Sequence, residues 1–576
     1  MRIEHLPFGA DAVEGWVDPS GRKVNWPVVY MLNGAKDVYV GETLNVSMRL
    51  KQHLKNPEKQ HLKSARVIVD DEFNKSVCLD LESHLISLFA GDGTFRVLNR
   101  NDGITDADYF DRERYRGAFE EIFEALREEG LFAKTLPEIR NSDLFKLSPF
   151  KALNEDQEIA VVDILEGFFE DLDAGATNTV VVSGGPGTGK TIVAIFLLKI
   201  LADIASTEPA DDAGADSVFA DFFVEDNREL LADFTMGVVV PQQSLRKSIR
   251  RVFKKVPGLD PSMVLSPLEL VKSERHFDLL VVDEAHRLGR YGATMGMKDF
   301  REASEAVALP GEEWEQITHL DWILRRSTQQ VLFMDKRQSV RPLDLSGSQV
   351  DAVLRSASAS GRLYQLRSQM RVAAGSDYLD YIDAVLDGDP YVKPQSFSGY
   401  DLRFFESVRS MREAIFKREV GNERERGLAR LVAGFAWEWV SKKKGQRSTP
   451  DIRIDGLELF WNRTATDWIN SRTSLEEVGS IHTVQGYDLN YAGVIIGPDL
   501  VWDQVLQRMA VNRTSYHDTK GKSNSKVLGV KVDDAALLEM VKNVYRVLLT
   551  RGMRGTYVYV SDPALRERLR PFFSAE

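Results

Sequence analysis

One cysteine, Cys78, is all that 576 residues contain. An internal disulfide is therefore impossible, and a reducing, cytoplasmic home is expected. No apolar run approaches the roughly 18 residues that a membrane-crossing helix needs, so no membrane association is expected. The opening MRIEHLPFGADAVEG lacks the basic-then-apolar order of a secretory signal. Internal repeats are missing as well. Excess positive charge is also lacking: the net charge is −13, which by itself argues against a nucleic-acid partner.

That charge is unevenly spread. Residues 206–233 (STEPADDAGADSVFADFFVEDNRELLAD) hold nine acids and one arginine, or −8 of the −13. The stretch also carries proline, glycine and short apolar pieces, and reads as a mobile loop able to compete with nucleic acid for a neighbouring basic segment. That segment, SLRKSIRRVFKK (244–255), has six basic residues and no acid. At helical spacing Arg246, Arg250 and Lys254 share one face, with Leu245, Ile249, Val252 and Phe253 elsewhere on the wheel. Such a helix is either a solvated face or a surface for phosphates, and overall charge does not decide between them.

The length exceeds what one core fills and implies three or four domains. The first is legible from PVVYMLNGAKDVYVGETLNVSMRLKQH (27–53). Two β-type runs flank Asn33-Gly34, a strong hairpin signal. A helix follows, capped by Thr43 or Asn45, on which Asn45, Arg49 and His53 line one face. In the next helical run, DLESHLISLFAG, Leu85, Ile86 and Phe89 follow Glu82 by three, four and seven residues. A carboxylate on an apolar face is costly, so an arginine, a metal or both must compensate it. FRVLNRN then ends this region with Asn99.

The ordered set of two tyrosines, arginine, histidine, carboxylate and asparagine resembles the GIY-YIG nuclease fold over about residues 25–105. Its two motifs correspond to Val28-Val29-Tyr30 and Tyr39-Val40-Gly41. The resemblance implies a small α+β domain with Tyr30 and Tyr39 on adjacent strands, Arg49 and His53 on the first helix, Glu82 as ligand of one divalent metal (magnesium, with manganese an option) and Asn99 as support. It implies phosphodiester hydrolysis by metal-activated water, with a tyrosine or the histidine taking the proton and Arg49 holding the charge that grows on the phosphate.

After a charged, helical connector (106–147) comes VVVSGGPGTGKTIVAIFLLKI. An apolar strand feeds the loop Gly184, Gly185, Pro186, Gly187, Thr188, Gly189, Lys190, Thr191, which opens a helix. Strand, glycine loop and helix in that order form a phosphate cradle, with Lys190 on the β and γ oxygens and Thr191 on magnesium. HFDLLVVDEAHRLGR adds a buried-type strand ending in Asp283, for magnesium, and Glu284, for the attacking water. ATP with magnesium is the expected ligand.

Further motifs follow in order: Gln157 ahead of the loop; Asp335 and Gln338 after a third strand; Arg371 in YQLRSQMRV; His482, Thr483, Gln485 and Gly486 in GSIHTVQGYDL; and Arg551 in LLTRGMRG. This set resembles the superfamily 1 helicases over about 148–565, and more closely a Schlafen-related helicase-like family of formerly unknown function that often carries an N-terminal GIY-YIG domain. It implies two RecA-like doubly wound parallel-sheet domains, 148–350 and 351–576, with ATP between them. Gln157 would read adenine, Gln338 would sense the γ-phosphate, Gly486 would lie at the nucleotide, and Arg371 and Arg551 would act as arginine fingers. Nucleic acid, DNA with a single-stranded tract, is the implied partner; Trp437, Trp439 and Trp461 serve either as stacking platforms or as core. The expected function is an ATP-driven DNA translocase coupled to a nuclease, in defence against foreign DNA or in repair. The alternatives are an ATP-gated binding switch with a degenerate nuclease module, and an enzyme acting on RNA.

Overall fold

The β-branched and aromatic residues of VVYML and VYV build a hairpin, and the first of these runs becomes a central strand buried on both faces. The computed structural model describes residues 2–16, 21–22, 24–100, 109–206, 218–292, 296–369, 372–421, 427–464, 468–484 and 488–573. The chain divides into two compact units: Met1–Gly175 with Thr191–Phe234 and Ser248–Met263, and Ala176–Lys190 with Thr235–Lys247 and Val264–Glu576.

The first unit opens with a five-stranded sheet. Its strands are β1 (Arg2–Pro7), β2 (Val24–Asn33), β3 (Asp37–Asn45), β4 (Ser64–Val69) and β5 (Arg96–Val97), in spatial order β1-β4-β2-β3-β5. The β2–β3 hairpin is closed by Gly34, whose N–H donates to the Asp37 carbonyl at 2.9 Å. Asn45, not Thr43, caps the helix Val46–Lys55 by accepting from the Met48 N–H at 3.1 Å. The helix Lys75–Asp92 begins at the Asn74 cap and ends at Gly93, in the left-handed region at φ 73°. It lies against β2 and β3, which carries Glu82 to the sheet.

The connector is helical as its composition predicts, with helices Arg112–Glu128, Leu136–Asn141 and Asp143–Lys146. It is fastened to the sheet module. Asp92 accepts from the backbone N–H of Ala133 and Lys134 at 3.1 and 2.9 Å, and Arg66 donates to Glu129 at 2.7 Å.

The acidic stretch departs from expectation. Over 218–233 it is anchored rather than loose: Phe219, Phe222 and Leu231 are buried. Phe222 stacks 6.2 Å from Phe169 and Phe219 lies 5.3 Å from Phe196. Apolar burial of these rings outweighs the local charge repulsion. Residues 207–217 lie outside the described residues.

The second unit holds two all-parallel sheets, which fit the expected α/β architecture. The first runs β11-β6-β10-β9-β7-β8, with β6 (Thr179–Gly184), β7 (Met236–Val239), β8 (Val264–Leu265), β9 (Phe277–Val282), β10 (Ser327–Met334) and β11 (Leu363–Leu366). The expected domain break at 350 therefore falls inside the helix Gly347–Ala359 and ahead of the last strand of this sheet. The second sheet comprises β12 (Asp401–Phe404), β13 (Ala429–Ala433), β16 (Val478–Ser480), β17 (Leu489–Ile496) and β20 (Gly552–Val560), in order β12-β20-β17-β13-β16. Two antiparallel ribbons, β14 (Ile452–Ile454) with β15 (Leu457–Leu459) and β18 (Leu500–Asp503) with β19 (Arg508–Val511), complete the unit. Among the described residues no helix is long and apolar enough to cross a membrane.

Candidate functional site

The N-terminal cluster is built on the β2–β3 register. Tyr30 faces Gly41 and Leu32 faces Tyr39 across the pair. Tyr30 is fully buried, and its hydroxyl lies 2.7 Å from His53 Nε2. The Tyr39 and His53 rings are 4.9 Å apart, edge to face. Arg49 stands one helical turn before His53, and its charge acts on both phenols. Glu82 is half-buried, and its charge acts on both tyrosines. Asn99 brackets Val40, donating to its carbonyl at 2.7 Å and accepting from its N–H at 3.0 Å. Thus Tyr30, Tyr39 and His53 meet, with the charges of Arg49 and Glu82 acting on both phenols and Asn99 holding the second strand. Sequence reading missed Lys59, whose Nζ lies 3.0 Å from His53 Nδ1 and 3.5 Å over the Tyr39 ring.

Burial dominates the electrostatics here. It pushes Tyr30 well above the ordinary phenol value and raises Tyr39, with Glu82 adding to the rise and Arg49 opposing it. Burial also works against the Arg49 charge, but the two phenols more than restore it. His53 is pushed down to about 3 by burial, then by Lys59 and Arg49, so the imidazole is neutral.

In the second unit, Gly184, Asp283 and Asp335 emerge from the carboxyl ends of the neighbouring parallel strands β6, β9 and β10, where open α/β sheets bind ligands. Gly187 and Gly189 take φ of 82° and 78°, the left-handed conformation that glycine allows cheaply. Lys190 is buried, and its Nζ donates to the carbonyls of Gly184 and Gly185 at 2.7 and 2.8 Å. Thr188 Oγ1 donates to the Gly185 carbonyl at 3.1 Å, and Gln369 Nε2 to that of Pro186 at 2.5 Å. Thr191 follows Lys190 in the helix Lys190–Ser206.

Asp283 is fully buried and accepts from the Glu284 N–H at 3.0 Å. Glu284 sits at φ 54°, a conformation that non-glycine residues adopt at a cost and that clusters at functional sites. Its carboxylate lies 3.1 Å from His286 Nε2, while His286 Nδ1 accepts from the Asp335 N–H at 3.1 Å. Burial alone would raise the Glu284 carboxyl, but His286 and then Lys190 hold it below the usual carboxylate range. Gln338 is buried and donates to Asp335 at 2.7 Å.

Gln157, in the first unit, completes the capping box of the helix Glu155–Asp173 with Asn154. Arg551 is buried at the start of β20, its Nε donating to the Val547 carbonyl at 3.2 Å. Arg371, Gln485 and Gly486 lie outside the described residues. His482 is described, 2.9 Å from Asp518 and within 3.3 Å of Arg341. Trp461 is core, fully buried, whereas Trp437 and Trp439 are half-buried. The basic helix Gln243–Phe253 and its end are partly engaged by protein. Arg246 donates to the Val240 carbonyl at 2.7 Å, Arg251 pairs with Asp143 at 3.3 Å, and Lys255 donates to the Gly93 carbonyl at 2.9 Å.

Residues 177–562 match the model of the Schlafen group 3 DNA/RNA helicase domain. An uncharacterized protein of Saccharomyces cerevisiae, YPL245W, is 26% identical over 420 residues, covering 68% of this chain and 83% of its own. The structure of PRRSV helicase shares 12% identity at a TM-score of 0.25, covering 71% of this chain and 55% of that one, a likeness that carries no weight for fold or activity. The family match spans more than half of the chain, which therefore belongs to the Schlafen group 3 family through its DNA/RNA helicase domain.

Proposed function

We propose that the chain is an ATP-dependent nucleic-acid enzyme in which a helicase-like motor of two RecA-like domains drives or licenses a metal-dependent endonuclease of the GIY-YIG type. The nuclease module would occupy about 1–105 and the connector 106–147. The change between motor domains would follow β11 rather than residue 350. The observation that carries the nuclease half is the meeting of Tyr30, Tyr39 and His53 under the charges of Arg49 and Glu82.

Among the described residues no group of three or more histidine, cysteine, aspartate or glutamate side chains gathers to hold a metal. Glu82 fits the role of single carboxylate ligand to magnesium or manganese, ions that keep several waters and take substrate phosphate oxygens. When bound, such an ion supplies Lewis-acid polarisation of the phosphate. Arg49 is placed to hold the negative charge that grows there, and Asn99 keeps the second strand in register.

In the motor, the donor set at the β6 loop fits a magnesium-bound triphosphate. Lys190 can exchange loop carbonyls for β and γ oxygens, the N–H groups of Gly184 to Gly189 cradle phosphate, and Thr191 with Asp283 would hold the ion. Glu284 orients water and receives its proton; Gln338 reports the γ-phosphate to Asp335. By the family resemblance, Gln157, Gly486, Arg371 and Arg551 would also serve the nucleotide. The implied partner is DNA with a single-stranded tract, in defence or repair. RNA is the second reading, because the matched family description covers both nucleic acids.

The test runs ATPase and cleavage assays on labelled single-stranded, duplex and branched DNA and on matched RNA, with Lys190→Ala and Glu82→Ala in parallel. Metal-dependent cuts that vanish in Glu82→Ala, and ATPase that vanishes in Lys190→Ala, are expected. Cleavage that persists without Glu82 removes that carboxylate from the reaction, and no cleavage by the wild type on any substrate leaves the binding switch.

A further inference from the structure

The ammonium of Lys59 lies 3.0 Å from His53 Nδ1. An ammonium has three donors and no acceptor, so Nδ1 must accept. A neutral imidazole that accepts at Nδ1 carries its proton on Nε2. Nε2 lies 2.7 Å from the Tyr30 oxygen, which therefore receives the bond and is free to donate its own proton onward. The Tyr39 ring lies beside that of Tyr30, 6.2 Å away centre to centre. The donors thus run one way: Lys59 to His53, then His53 to Tyr30.

We propose that Lys59 is a positioning residue that locks His53 in the Nε2–H tautomer, making it a donor to Tyr30 and withdrawing it as the proton acceptor of the proposed cleavage. The choice between tyrosine and histidine as base then falls to the tyrosine pair. The ammonium also sits 3.5 Å over the Tyr39 ring, which holds it in place by cation–π attraction as well as by the hydrogen bond. Only the consequence for the base rests on the nuclease reading; the tautomer is a property of the folded chain. Burial and the two neighbouring cations keep the ring neutral, so the tautomer question is well posed at neutral pH.

The test is nitrogen NMR of the histidine rings in the full chain labelled with 15N-histidine, with His53 assigned by its loss in His53→Gln. In the wild type, Nε2 of His53 should give the protonated-nitrogen shift and Nδ1 the unprotonated one. Lys59→Met should shift the ring toward a mixture of tautomers, and Lys59→Arg should restore the wild-type pattern. A proton on Nδ1 in the wild type overturns the proposal, and this spectrum decides even if Lys59→Met fails to fold. An unchanged tautomer in a folded Lys59→Met also overturns it. If the locked tautomer is found but no substrate is cut, the nuclease reading fails and the lock stands.

Discussion

The Tyr30 hydroxyl lies over Gly41 of the neighbouring strand, so closely that a Cβ there would come within 2.4 Å of it. The glycine of the second motif is thus a space requirement for the tyrosine of the first. Gly41→Ala should displace the phenol from His53 and cost about 1–3 kcal/mol of stability, as overpacking does. Thermal unfolding would read the loss, and a variant as stable and as active in cleavage as the wild type would refute the close fit.

Glu284 is held charged and strained beside His286. Glu284→Gln should retain nucleotide binding but lower hydrolysis by about 10²–10⁴-fold, the range for losing a positioned base. A fluorescent nucleotide titration beside a phosphate-release assay separates the two effects. Retention of hydrolysis within a few-fold would assign the water to another group.

Asp499 accepts from the Tyr545 hydroxyl at 2.5 Å, yet burial pushes its carboxyl up to about 7. Folding therefore favours the protonated form over an unfolded chain in which the group titrates near ~3.9. Its stabilising contribution is full below that unfolded value and is lost as pH rises through about 7, an effect on the order of 4 kcal/mol at most. Asp499→Asn keeps the acceptor for Tyr545 and removes the charge. Its Tm should exceed that of the wild type most at about pH 8 and converge with it toward about pH 4. Two parallel Tm curves would show that the carboxyl does not titrate in this window.

Residues 218–233 of the acidic stretch are pinned by their aromatic rings. Phe222→Ala should release them from Phe169 at a cost of about 3 kcal/mol or less. Arg228 is the single basic residue of 206–233, so trypsin cleavage after it reports the release directly. Cleavage there should accelerate several-fold in the variant, and an unchanged rate would mean that other contacts hold the segment.

Sequence by itself determined the local chemistry of this protein. β-branched and aromatic apolar runs set the strands, Asn45 and Asn74 start their helices, and the loop from Gly184 to Thr191 carries its phosphate-loop pattern in adjacent residues. Periodicity also brought Arg49 and His53 to one helix face, because a helix repeats over distances that a short motif spans. Tertiary structure alone decided which side chains from different elements meet. Lys59 reaches a histidine and a tyrosine ring through the turn after its helix, and Gln369 reaches Pro186 across 183 positions. Phe222 finds Phe169, packing residues 218–233 of the acidic stretch, and β11 joins the first parallel sheet beyond the expected break. Such meetings depend on how sheets stack and how chains cross over, and those are set by the burial of the whole apolar surface at once rather than by any window of sequence.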